Sequence, residues 1–258
     1  MLPYFPDPNV AVKHQPRDYI LAGFTFICVT ISLSYDGSAP LEHQKTLAVL
    51  AWVFLITMLW GEDKHIRVQV MIAVVFATIG ENFAALYMEG YSYRFNNIPL
   101  YIPAGHGMVY LTAVAMARSG FFQRYAREIS IFVVFIGAFW ALWGMSDFAS
   151  RKDDIGAILF CIFLACLFKG RSPMVYLAAF FITSWLEIVG TSSGTWVWAE
   201  IDPATGLAQG NPPSGVAAWY CLVDAVAMAG ANPVLAAYTR FCNWLRFKFK
   251  GEVAYQGE

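Results

Sequence analysis

Glu81 and Glu187 each stand inside a long apolar run, in a chain of 258 residues that is 58% hydrophobic and 14% charged. A carboxyl group in hydrocarbon costs on the order of 2.5–3.5 kcal/mol, so its presence there points to a function. Such a group can protonate a double bond or activate water, as a general acid or base. The surroundings of the two acids repeat. After Glu81-Asn82 come Gly90-Tyr91-Ser92-Tyr93 and Asn97-Ile98-Pro99. After Glu187 come Gly194-Thr195-Trp196-Val197-Trp198 and Asn211-Pro212-Pro213. The repetition predicts one site assembled from two related parts.

Two further residues belong with the acids. His106, within Pro103-Ala104-Gly105-His106-Gly107, is the one histidine in an apolar run, and Asp224 is an acid deep in the last run. Glu81, Glu187, Asp224 and His106 are therefore the expected catalytic groups. Asn82, Tyr91, Tyr93, Trp196, Trp198 and Trp219 are the expected substrate-binding groups. Alternation at two residues in a short extended segment puts both rings on one side. Two such flaps would hold a flat apolar ligand, or steady a cation through the ring faces. The same rings would also suit an interfacial aromatic belt.

Several chemistries lack their residues. No lysine lies in an apolar run for a retinal Schiff base, and a lone histidine there does not make a bis-histidine haem site. HExxH, Gly-x-Ser-x-Gly and phosphate-loop patterns are missing. The acids carry no metal-ligand spacing, so no metal and no cofactor is expected. The five cysteines read as small core hydrophobes. The composition excludes a disordered or nucleic-acid-binding chain.

What must position these groups is a set of apolar helices. Eight runs can be drawn, at 19–34, 46–60, 68–88, 99–117, 129–145, 155–168, 173–191 and 213–238. Several are shorter than the ~20 residues of an upright span. Asn232-Pro233 is the expected bend in the last. With eight spans, four of the seventeen lysines and arginines (Lys45, Arg94, Arg151 and Lys152) fall on one face and the other thirteen, including Lys13 and Lys250, on the opposite one. The positive-inside rule then puts both termini in the cytoplasm. The segment 1–18 lacks the order of a cleavable signal peptide, so the first run is expected to be retained.

The runs also repeat. Val53-Phe54-Leu55 through Gly61 resembles Ile162-Phe163-Leu164 through Gly170, and Ala113-Val114-Ala115-Met116-Ala117 recurs unchanged as Ala225-Val226-Ala227-Met228-Ala229. The expected fold is all-α: a polytopic membrane protein of about eight transmembrane helices, formed as a parallel 4+4 duplication. Its repeats are 19–118 and 128–240, followed by a basic cytoplasmic tail at 241–258.

The pattern of a membrane glutamate, a Gly-x-aromatic-x-aromatic loop and a proline-started helix, over Glu81–Pro99 and Glu187–Pro213, resembles integral-membrane carotenoid-biosynthesis proteins of the 1,2-hydratase type. The spacing differs, and the second copy carries tryptophans. Size and the use of membrane acids resemble small membrane terpene cyclases. These likenesses imply an isoprenoid substrate and carboxylate chemistry without a redox cofactor. The expected function is an integral-membrane enzyme acting on an isoprenoid or other long apolar substrate by hydration, isomerisation or cyclisation. The alternatives are a lipid or solute carrier, and a non-catalytic lipid-binding subunit whose partner docks on the outer loops, above all Ser192–Pro212.

Overall fold

The computed structural model describes residues 15–254, with side chains to residue 248. Lys13, Lys250 and most of segment 1–18 therefore lie outside the described side chains. The elements run α1 (Pro16–Asp36), α2 (His43–Leu59), α3 (Lys64–Glu81), a π-helical turn (Asn82–Tyr87), β1 (Tyr91–Tyr93), α4 (Ile102–Arg118), a short α5 (Gly120–Arg124), α6 (Ala126–Met145), α7 (Asp154–Lys169), α8 (Pro173–Ser192), β2 (Trp196–Trp198) and α9 (Ala217–Ala254). Among the described residues the fold is all-α apart from one two-stranded pairing and an isolated bridge between Ile201 and Ala208.

Helix starts follow local chemistry. Pro16 and Pro173 occupy the first turns of α1 and α8, where no amide hydrogen bond is lost. Asp63 caps α3 by accepting from the Ile66 amide at 2.9 Å. Pro233 sits inside α9, which stays helical on both sides of it and continues through segment 241–254.

Among the described residues five helices are long and apolar enough to cross a membrane: 16–36, 64–87 (α3 with its π turn), 126–145, 173–192 and 217–248. α2 is a shorter apolar helix. Their outward faces fit hydrocarbon. Ile20, Ile27 and Ile31 of α1 and Phe135, Phe139 and Leu142 of α6 are all exposed. An apolar surface of this extent is what lipid contact asks for.

The centre of the bundle is α4, which packs on α1, α2, α3 and α8. α8 packs in turn on α1, α4, α7 and α9, and α3 lies along α9. At one end, called here the basic end, Arg118 donates to Asp18 (Nε, 2.8 Å) and to both Glu62 oxygens (2.7 and 2.8 Å), while Arg17 donates to Glu62 and to the Met58 carbonyl. This ties α1, α4 and the α2–α3 turn together. Burial alone would raise the Glu62 carboxyl, but the hydrogen bonds and charges of Arg118 and Arg17 hold it below the usual range.

At the other end, called here the ribbon end, β1 and β2 pair antiparallel with Tyr91 opposite Trp198 and Tyr93 opposite Trp196. Two buried carboxylates brace the loops around them. Asp36 accepts from Tyr101 Oη at 2.6 Å and Gln44 Nε2 at 3.2 Å. Asp153 accepts from the amides of Gly156, Gly210 and Ser214 at 2.7–2.9 Å. Each fixes the approach to one helix, α4 for Asp36 and α9 for Asp153. Arg94 holds the Asp36 and Ala39 carbonyls, and Arg151 holds those of Trp198, Ala199 and Gln209.

Candidate functional site

Glu81 is the last α-helical residue of α3, and the π turn follows it at once. Such turns widen a helix and recur at functional sites. The chain then bends back through Glu89, at φ 54, and Gly90 into β1. On the other side Gly194, at φ 72, turns the chain from α8 into β2. That left-handed conformation carries no steric cost for glycine.

The ribbon aims its rings at the acids. Tyr91, Tyr93, Trp196 and Trp198 are buried on one face, while Ser92 and Val197 point outward. Tyr91 and Tyr93 both donate from Oη to Glu81 Oε2, at 2.6 and 2.8 Å. Trp196 and Trp198 both donate from Nε1 to Glu187 Oε2, each at 3.0 Å. The rings of Tyr91 and Trp198 meet at 4.6 Å, so the two acid clusters are in direct contact through their donors. Burial first, and then the Glu81 charge, push both tyrosine hydroxyls up from their ordinary value, which keeps them protonated donors.

The two acids differ in what remains free. Glu81 Oε1 is taken by His106 Nε2 at 2.8 Å, so both its oxygens are engaged. Among the described residues Glu187 Oε1 accepts no hydrogen bond, its bonds all falling on Oε2. His106 Nδ1 is buried with no partner among those residues. Tyr220 of α9 stacks obliquely against His106, ring centroids 5.6 Å apart. Its hydroxyl makes no hydrogen bond among the described residues.

Glu81, Glu187, His106, the four ribbon aromatics and Tyr220 all line one cavity of about 620 Å³. Its remaining wall is mostly apolar, with Leu33, Phe54, Ile102, Met108, Leu186 and Val216 among its residues. A mostly apolar cavity of this size with a few convergent polar groups has the form of a small-molecule site. Trp219 lines the wall and is half exposed.

Two residues expected at the site stand elsewhere. Asn82 is exposed, turns back to donate to the Thr78 carbonyl at 2.8 Å, and does not line the cavity. The i−4 carbonyl is the nearest acceptor to an amide at a helix end, which accounts for its direction. Asp224 is 2% exposed in the core of α9, also off the cavity, and its Oδ2 has no partner among the described residues. The loop Ser192–Pro212 folds over the cavity, contributing Asp202, Thr205 and Gln209 to its wall. Gln209 Nε2 bonds the Gly90 carbonyl at 2.9 Å and so fastens that loop to β1.

Tyr220, Asp36 and Asp153 are the residues that sequence reasoning passed over. Tyr220 looks like one more aromatic in an apolar run. Asp153 carried a signal, because it immediately precedes an apolar helix as an N-cap does. Among the described residues no three His, Cys, Asp or Glu side chains are grouped to hold a metal ion.

No family model, curated protein or solved structure matches this chain. Its functional reading rests on the geometry above.

Proposed function

We propose that this chain is an integral-membrane enzyme acting on an isoprenoid or other long apolar substrate by carboxylate acid/base chemistry. The observation that carries this is the inequality of two buried acids on one apolar cavity: Glu81 has both oxygens engaged, whereas Glu187 has one oxygen without a partner among the described residues. In the proposed step the Glu187 carboxyl gives its proton from Oε1 to one carbon of a double bond. The carboxylate left behind is held by the Trp196 and Trp198 N–H groups. The cation formed at the neighbouring carbon lies among the faces of Tyr91, Trp198 and Tyr220, which attract positive charge. Loss of a proton from the adjacent carbon completes an isomerisation, capture by water a hydration, and attack by an internal double bond a cyclisation. His106, paired to Glu81, is the neighbouring group able to take a proton at Nδ1.

The same reading takes the chain as eight spans in a parallel 4+4 duplication, with both termini in the cytoplasm. Exchanging α2, α3 and α4 with α7, α8 and α9 maps several packed pairs onto each other: α3–α9 onto α8–α4, α3–α4 onto α8–α9, and α2–α4 onto α7–α9. The first helices break the exchange, since α1 packs on α4 and α8 whereas α6 packs on α7 and α8.

The test is turnover of the lipid-soluble molecule that co-purifies with the protein, identified by its mass. Glu187→Gln is expected to lower the rate by about 10²–10⁴-fold, the usual contribution of a general acid, with the fold intact. Full activity in both Glu187→Gln and Glu81→Gln would overturn the proposal. The exchange of helix packing also suits a carrier, as duplicated halves do. Proton-coupled uptake into vesicles would favour that reading, and a stoichiometric partner with both glutamates dispensable would favour a non-catalytic subunit.

A further inference from the structure

The cavity is not closed on all sides. Leu50 of α2, Ile79 of α3 and Phe83 of the π turn line it, yet are 43%, 63% and 53% exposed on the outer surface. A side chain that faces both the inside of a cavity and the lipid side of a helix marks an opening between them. The opening lies between α2 and α3. Among the described residues α2 packs on α1 and α4 but not along α3. Trp219 and Leu222 of α9 and Ile158 of α7 also line the cavity and reach the surface, but there α9 packs against both α3 and α7. Gly80 stands at the slit, exposed and on the cavity wall, and a Cβ added to it would meet nothing within 4 Å. Gly80, Glu81 and Glu187 line the same cavity, so the slit opens into the chamber that holds the acids.

We propose that the ligand enters the cavity sideways from the hydrocarbon of the membrane, through the slit between α2 and α3, and that Gly80 keeps the slit wide enough for a long apolar chain. This rests on reading the cavity as the site of an apolar ligand. Three features favour a chain over a compact molecule. The walls of the slit are Leu50, Phe54, Phe76, Ile79 and Phe83, all apolar. Glu81, Glu187, His106, Tyr91 and Tyr93 are buried or partly buried, and the exposed polar residue Thr205 belongs to the ribbon-end loop rather than to the slit. The opening faces lipid, where a chain need not pass through water.

The experiment uses the full chain in detergent, loaded with the fluorescent polyene cis-parinaric acid and mixed with excess empty phosphatidylcholine vesicles. Release is followed as loss of energy transfer from the protein's tryptophans to the probe. The wild type is expected to show a slow phase from the cavity beside Trp196 and Trp198. Gly80→Phe fills the slit from a position with open space around it and should slow that phase by about tenfold or more, as blocking a gate does. Leu50→Phe, on the facing wall, should slow it as well, which guards against a local fault in either variant. Gly23→Phe adds the same bulk to α1, away from the cavity, where nothing lies within 4 Å, and should release at the wild-type rate. Wild-type release rates in both slit variants would overturn the proposed route while leaving the acid/base reading untouched. A wild type with no slow phase would overturn the cavity as an apolar-ligand site, and the route with it.

Discussion

Removing the two phenols that hold Glu81 tests whether the ribbon serves the carboxylate or merely covers it. Tyr91 and Tyr93 donate to the same oxygen, Oε2, at 2.6 and 2.8 Å. A hydrogen bond to a charged acceptor contributes about 1.5–3 kcal/mol. In Tyr91→Phe or Tyr93→Phe the other phenol still satisfies Oε2, so each single change should cost about 1–2 kcal/mol, toward the low end of that range. The double variant leaves Oε2 buried without a donor. That adds the desolvation of an unpaired group, about 1–3 kcal/mol, and the double loss should exceed the sum of the singles by a similar amount. In a Glu81→Gln background the acceptor is uncharged, and each phenol should then contribute only about 0.5–1.5 kcal/mol. The assay is denaturant unfolding in detergent micelles, followed by near-ultraviolet circular dichroism. Additive losses that stay the same in the Glu81→Gln background would refute the claim that the ribbon exists to hold a charged carboxylate.

The same tyrosines predict a loss of stability in alkali. Their hydroxyls are held up from an ordinary value of 10.0 by burial and by the Glu81 charge. Above about pH 10 the unfolded chain gives up protons that the folded chain keeps, so stability falls as pH rises, by up to about 1.4 kcal/mol per pH unit for each tyrosine. Unfolding free energies between pH 9 and 11 should fall with pH, and the double phenylalanine variant should fall less steeply, the remaining slope coming from other buried tyrosines such as Tyr101. Gly190→Ala would place a methyl 2.0–2.5 Å from three ring carbons of Trp196. It should cost about 1–3 kcal/mol through overpacking and displace the indole from Glu187, seen as a shift in tryptophan emission. Arg118→Met would leave the Asp18 and Glu62 side chains, 1% and 3% exposed, without their shared cation. It should cost about 3–5 kcal/mol in unfolding free energy, partly recovered when Glu62→Gln is added.

The helices were legible in the sequence because long apolar runs, in a membrane or a packed core, leave the backbone few other ways to satisfy its hydrogen bonds. The eight runs coincide with α1–α4 and α6–α9 to within a few residues, apart from the longer reach of α9. The Gly-x-aromatic-x-aromatic spacing also carried the sidedness of Tyr91 and Tyr93, and of Trp196 and Trp198. What the spacing could not carry was register. That Tyr91 faces Trp198 depends on how two helix ends far apart in sequence come together, and no local pattern encodes it. The division between a saturated Glu81 and a half-free Glu187 was hidden for the same reason: it depends on where His106 lands, 25 residues away on another helix. Asp224 misled because a carboxyl buried in a helix core and one aimed at a cavity look alike in one dimension.

The pairing of β1 with β2 also sets an order of events during synthesis. Tyr91–Tyr93 leaves the ribosome 105 residues ahead of Trp196–Trp198. At 5–20 residues per second that is a wait of about 5–20 s. Throughout it Tyr91–Tyr93 has no strand of its own chain to pair with, and its backbone donors and acceptors are open to another copy's Trp196–Trp198. Cells making this protein at high density therefore run the risk that β1 of one copy meets β2 of another, giving an interlocked pair of chains. Slowing translation after residue 93 should raise the yield of such pairs, and speeding it should lower it.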